Sequence, residues 1–122
     1  MIGYVTLGSA DLPRAGAFYD ALLVDLGAKR LWDYAGGIGW GSSPAEPSLA
    51  LMKPFDGNPA TVGNGVMVGL VAKTTEQVDQ LYQKAIALGA KDEGPAGPRG
   101  KGFYAGYFRD LDGNKLCFYC TN

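Results

Sequence analysis

The groups able to do chemistry in this chain are few. Two cysteines stand at 117 and 120 in the closing stretch Lys115-Leu-Cys-Phe-Tyr-Cys120. A thiolate there would be a nucleophile or a soft metal ligand, but it forms at neutral pH only beside a base or a positive neighbour. Histidine, the commonest acid-base group and transition-metal ligand, is absent from all 122 residues. Lys115 is the cation on the same strand face, which leaves a nucleophilic Cys117 as the minor reading. The odd separation puts the two thiols on opposite faces of a strand, so a disulfide between them is not expected. A metal-chelating Cys-x-x-Cys sits on a turn and needs further ligands. The carboxylates Asp33, Glu46, Asp56, Asp92, Glu93, Asp110 and Asp112 sit mostly near turns without ligand spacing. No acid-base pair and no activated nucleophile emerges.

The elements that position these residues are clearer. Asp112-Gly113-Asn114 is a tight-turn signal between the aromatic run Phe103 to Phe108 and the alternating run Lys115 to Cys120. The chain therefore closes on a β-hairpin. Hydrophobic residues make up 47%, charged residues 19%, and the formal net charge is -1. That is the composition of one ordinary globular domain, without a basic run for nucleic acid or a span for a bilayer. Met1-Ile-Gly-Tyr opens as a strand with no charged signal region, so the expected compartment is the cytoplasm.

Taken in order, Ile2 to Gly8 is a strand. Asp11 is the N-cap of a helix with Pro13 in its first turn and a stripe at Leu12, Ala15, Phe18, Tyr19, Leu22, Leu23 and Leu26, stopped by Gly27. Short strands are expected at Ala28 to Trp32, Ile38 to Gly41 and Ser48 to Lys53. Residues 54–64 are turn chemistry and read as a linker. The pattern then repeats: a strand over Val66 to Ala72, a capping box at Thr74 and Gln77, and a helical stripe at Val78, Leu81, Tyr82, Ala85 and Leu88 before Gly89. At an offset of 63 the halves superimpose Val5 on Val68, Leu7 on Leu70 and Tyr19 on Tyr82. With one deletion Leu26-Gly-Ala-Lys29 falls on Leu88-Gly-Ala-Lys91. Self-similarity of this kind means two copies of one supersecondary unit, here residues 1–53 and 65–120.

Each copy runs strand, helix, strands, so each sheet has one helix-covered face. Val5/Leu7 and Val68/Leu70 should lie under the helices. By alternation Tyr4 and Met67 face the other way. Two curved antiparallel or mixed sheets would then enclose a cavity lined by Tyr4, Thr6, Met67, Cys117 and Tyr119, with Trp40, Met52, Tyr104 and Phe108 as further candidates. The bland alternative makes Tyr4 and Met67 ordinary core.

The chain resembles the glyoxalase/bleomycin-resistance/extradiol-dioxygenase superfamily over its whole length. The resemblance is carried by Ile2-Gly-Tyr-Val-Thr-Leu-Gly8, Asp11-Leu-Pro-Arg-Ala-Gly-Ala-Phe-Tyr19, Gly63-Asn-Gly65 and Phe103-Tyr…Arg109-Asp-Leu-Asp-Gly-Asn-Lys115. It implies an α+β fold of two tandem βαβββ modules. It also implies a divalent-ion site held, in metal-dependent members, by a His on each module's first strand and a carboxylate on its last. Those positions fall here on Tyr4, Met67, Cys117 and the stretch Ala50 to Met52. Phenol, thioether and thiol are poor partners for a hard divalent cation. The expectation is a metal-free cavity suited to flat or apolar ligand surface.

The segment Glu93-Gly-Pro-Ala-Gly-Pro-Arg-Gly-Lys-Gly102 reads as too rich in glycine and proline to pack as a sheet. It is either a solvated connection or a lid that brings Arg99 or Lys101 to an anionic ligand group. It makes no phosphate cradle, since no strand-to-helix context follows. The expected function is small-molecule binding, such as sequestering an aromatic compound as the bleomycin-resistance branch does. The resemblance further implies a homodimer. The alternatives are a lyase, isomerase or dioxygenase using other ligands, and a purely structural module whose hollow is filled by its own side chains.

Overall fold

A computed structural model describes residues 1–122. The chain divides into two compact units, Met1–Val62 and Gly63–Asn122. In the first, β1 (Tyr4–Gly8) leads into α1 (Leu12–Leu23), followed by β2 (Lys29–Tyr34), β3 (Gly37–Gly41) and β4 (Ser48–Met52). The sheet order is β1-β4-β3-β2, with β1 parallel to β4 and the remaining pairs antiparallel. The second unit repeats this plan. There β5 (Val68–Val71), α2 (Thr75–Ala87), β6 (Lys91–Pro98), β7 (Phe103–Arg109) and β8 (Lys115–Thr121) give the order β5-β8-β7-β6, again with the first and last strands parallel. The fold is α+β with two tandem modules. The sheets are mixed, because each helix carries the chain to the far edge and the strands that follow meander back until the last lies parallel beside the first, and neither sheet closes on itself.

The helices form where capping and stripe coincide. Asp11 accepts from the Arg14 backbone N–H at 3.1 Å, and the α1 stripe from Leu12 to Leu23 is buried against its sheet. The last expected turn, Val24–Leu26, tightens to a 3-10 turn before Gly27, whose φ of 76° suits a residue without a Cβ. On α2 the Thr74 hydroxyl accepts from Gln77 N–H at 3.1 Å, while Gln77 Oε1 reaches back to Lys73 N–H at 2.8 Å, one residue before the usual capping-box partner. Val78, Leu81, Tyr82 and Ala85 bury its stripe. Burying each large apolar side chain contributes roughly 1.5–3 kcal/mol.

The segment read as unfit for a sheet is a strand. Lys91–Pro98 pairs with β7 as Lys91↔Arg109, Asp92↔Phe108, Gly94↔Tyr107, Gly97↔Ala105 and Pro98↔Tyr104, with register shifts either side of Gly94. The glycines and prolines are accommodated because β6 is an edge strand, where bulges and missing N–H donors are tolerated. Arg99 closes the hairpin through its N–H to Phe103 carbonyl at 2.7 Å, so this stretch is no loose lid. Residues 54–64, expected as a linker, contain no helix or strand. Within that stretch Ala60 comes close enough that a Cβ at Gly8 would lie 3.0 Å from its own.

On the helix side of the first sheet, Asp20 of α1 anchors both strands of the β2–β3 hairpin. It accepts from Arg30 Nε at 2.9 Å, Arg30 Nη2 at 2.8 Å and Trp40 Nε1 at 2.8 Å. These bonds, Arg30 first, hold its carboxyl below the ordinary range against the opposing effect of burial. A carboxylate depressed in the folded state adds stability above its unfolded value near about 4 and loses it as pH falls through the lower folded value. Asp20→Asn is therefore expected to be less stable than wild type at neutral pH, with the gap closing below about pH 4. Urea midpoints measured across that range check it, and a gap that persists at low pH would refute it.

Candidate functional site

The face of each sheet away from its helix carries the candidate site. In the first unit, register puts Tyr4, Thr6 and Gly8 of β1 beside Ser48, Ala50 and Met52 of β4. Those in turn meet Gly39 and Gly37 of β3, with Gly41 completing the alternation. The β3 glycines leave a bare floor on which larger side chains lie. A Cβ at Gly39 would come within 2.6 Å of the Trp32 ring, one at Gly41 2.9 Å from Leu31, and one at Gly37 would strike Met52. Trp32 stacks on Tyr34 with centroids 5.4 Å apart and planes 24° apart, and the Tyr34 hydroxyl points at Met52 Sδ at 3.8 Å. The result is an aromatic ledge edged by a polarisable thioether. Tyr34 is 56% exposed and Tyr4 67%, so apolar surface here stands in water.

In the second unit the corresponding face carries Met67, Gly69 and Val71, then Cys117 and Tyr119 of β8, then Tyr107, Ala105 and Phe103 of β7. Phe103 and Tyr119 stack with centroids at 5.5 Å. Arg99 lies over the Tyr107 ring at 5.4 Å, and Lys115 sits 5.6 Å from the same centroid. Arg99 is held by the carbonyls of Pro95 and Pro98. Cys117 is buried, and burial pushes its thiol up, only partly offset by Lys115. Burial thus disfavours the thiolate, the form a nucleophile would need.

Three expected lining residues lie on the other face. Trp40 pairs with Leu49, donates to Asp20 and packs its ring 5.5 Å from Tyr19 of α1. Tyr104 pairs with Cys120 and donates to Asp79 of α2 at 2.6 Å. Phe108 pairs with Leu116 and stacks on Phe118 under α2. All three are helix-side residues, because their strands start one position out of step with the parity a cavity role requires. Conversely, Trp32 and Tyr34 escaped sequence reading. The register shift between Arg30 and Trp32 sends Arg30 to the helix side with Trp40 and Trp32 to the opposite side with Gly39.

A cleft of about 500 Å³ does open on the helix side of the first unit, at the start of α1, lined by Leu12, Pro13, Arg30, Asp33, Ile38 and Lys53 among others. Its Arg30 is already saturated by Asp20 and Asp33, the latter at 2.6 Å, so the cleft offers a ligand no free guanidinium fork.

The family model for the glyoxalase/bleomycin resistance protein/dioxygenase superfamily matches residues 1–118. The chain belongs to this superfamily. A glyoxalase/bleomycin resistance protein from Albidiferax ferrireducens T118 is 38% identical over 98% of this chain and 97% of its own, with a TM-score of 0.88. A hypothetical protein from S. aureus is 26% identical, covering 98% and 92%, with a TM-score of 0.75. A lactoylglutathione lyase from Agrobacterium tumefaciens shares the fold at 21% identity and a TM-score of 0.72, covering 98% and 92%. No curated protein is a significant match. Three positions at which the resemblance leads one to expect ion ligands, Tyr4, Met67 and Cys117, present a phenol, a thioether and a thiol, all poor donors to a hard cation. Cys117 is buried, which works against its thiolate, while Met67 and Tyr4 are exposed. No three His, Cys, Asp or Glu side chains gather anywhere to hold an ion. No helix is long and apolar enough to cross a membrane.

Proposed function

We propose that this superfamily member binds a flat, apolar or aromatic small molecule on its helix-free sheet faces, without a metal ion, and sequesters it rather than transforming it. The observation that carries the reading is the Trp32–Tyr34–Met52 ledge over bare strand glycines. Three glycines in alternation on a strand weaken it, a cost explained if the freed surface serves a ligand. An aromatic guest would stack on the ledge, gaining dispersion and displacing poorly held water. The absence of histidine and the burial that disfavours the Cys117 thiolate support binding over lyase, isomerase or dioxygenase chemistry. In solution the protein acts as a homodimer, and with both thiols unpaired it suits the reducing cytoplasm.

A ligand that binds only the folded state stabilises it by about 2.7 kcal/mol at a hundredfold excess over its dissociation constant. Screening planar aromatic compounds by thermal shift should therefore give discrete hits of several degrees. A flat response across the panel would overturn binding in favour of a self-filled module. A stoichiometric divalent ion, removed by chelator with loss of an activity, would establish the enzymatic alternative. The pairing is expected to show as a dimer mass in light scattering at micromolar concentration, and a monomer mass defeats it.

A further inference from the structure

Register on the second sheet aligns three cations across three strands. Lys91 of β6 lies opposite Arg109 of β7, which lies opposite Lys115 of β8, all on the helix-free face. Like charges in directly opposite positions destabilise a sheet. One carboxylate answers them: Glu93 accepts from Arg109 Nε at 2.8 Å, and Lys91 and Lys115 also act on it to hold its carboxyl low, after Arg109. Neither lysine has an ion pair of its own. One row along, Arg99 folds back over Gly94 and Gly97, so that a Cβ at either would lie within 3.4 Å of its guanidinium. It thus reaches the Tyr107 ring that Lys115 also overhangs. Four cations against one carboxylate occupy a single face of a chain whose formal charge is -1. Beside them stand the stacked rings of Phe103 and Tyr119.

We propose that the helix-free face of the second unit takes a planar aromatic carboxylate, its anion held between Lys115 and Arg99 and its ring laid along Tyr107 toward the Phe103–Tyr119 pair. The inference deepens the small-molecule reading above and rests on it. A bound carboxylate supplies the missing counter-charge to the row, and the aromatic run supplies the stacking partner. The ligand-free face is left electrostatically unsatisfied so that one class of guest completes it.

Isothermal titration of the full chain with 2-naphthoate and with its neutral isostere 2-naphthamide tests this. The acid is expected to bind about tenfold tighter than the amide, a single charge-assisted contact's worth of discrimination. Lys115→Gln should bring the acid to the level of the amide and leave the amide unchanged, while Lys115→Arg keeps the preference. An amide that binds as tightly as the acid to wild type overturns the anion assignment and leaves the aromatic reading standing. Equal loss of both ligands in Lys115→Gln, or loss of neither, also overturns it. If neither compound binds, this inference is overturned, while the thermal-shift panel separately decides the small-molecule reading on which it rests.

Discussion

Asp110→Ala is expected to lower stability by about 3 kcal/mol, near the upper end for a single polar substitution. Asp110 is 5% exposed and sits where β7 turns into β8. Its Oδ1 accepts the backbone N–H groups of Asp112 and Asn114, each at 2.9 Å, and its Oδ2 accepts the Asn114 side-chain amide at 3.1 Å. The main chain closes the same loop, with Asp110 N–H to Asn114 carbonyl at 2.8 Å and Gly113 N–H to Asp110 carbonyl at 3.0 Å. Truncation leaves the Asn114 donors buried without their acceptor, and desolvating such a donor costs about 1–3 kcal/mol. Because β8 is the central partner of both β5 and β7, loosening its entry turn weakens the whole second sheet. Asp110→Asn keeps one acceptor oxygen and should lose roughly half as much. Urea unfolding of the three proteins decides the matter. A loss below about 1 kcal/mol for the alanine variant would mean water replaces the carboxylate at no great cost.

That turn shows what was legible in the chain and what was not. Asp112, Gly113 and Asn114 announce a tight turn by type alone, and Gly113 takes a φ of 89°. The residue that organises it is Asp110, which carries no signal beyond an acidic side chain four residues before Asn114. Helix stripes, caps and the left-handed glycines at 27 and 89 were readable because they depend on neighbours within a turn or two. The repeat was readable for the same reason: Leu26-Gly-Ala-Lys29 and Leu88-Gly-Ala-Lys91 each end a helix and begin a strand, β2 at Lys29 and β6 at Lys91. Strand parity is a different problem. One extra residue at a bulge reverses every later side chain, and both β2 and β6 carry such shifts. Trp40, Tyr104 and Phe108 lie on the regular strands β3 and β7, and they were open to either face because nothing in their types fixes the parity with which each strand starts. Only pairing partners and a helix acceptor such as Asp20 or Asp79 place them. A usable signal did exist in Gly37-Ile-Gly-Trp-Gly41, where glycine at every second position marks one face as deliberately bare. The Trp32-Asp-Tyr34 spacing marked the side chains that cover it.

Gly39→Ala is expected to dismantle that covered face, with two separable consequences. The added methyl would lie within 2.6 Å of the Trp32 ring, well inside van der Waals contact, and a rigid indole cannot yield by rotating a terminal group. Either β3 shifts, which its pairing on both sides resists, or Trp32 leaves its place on Tyr34. Overpacking of this kind costs about 1–3 kcal/mol, and the ring stacking is lost as well. The chain has two tryptophans, and Trp40 is 1% exposed with its indole N–H bonded to Asp20, so it supplies a constant background. A red shift in tryptophan emission should then report Trp32 alone. If the ledge is where an aromatic guest stacks, the same substitution should weaken a hit from the thermal-shift screen more than tenfold, roughly the 1–3 kcal/mol carried by one stacked ring. Gly37→Ala supplies the contrast. Its methyl meets the Met52 side chain, which can bend away, but also the Leu51 carbonyl at 2.9 Å, which cannot. That variant should lose stability with little change in emission. Equal affinity in wild type and Gly39→Ala, with Trp32 demonstrably displaced, would rule out the first unit's ledge as the surface on which the guest stacks.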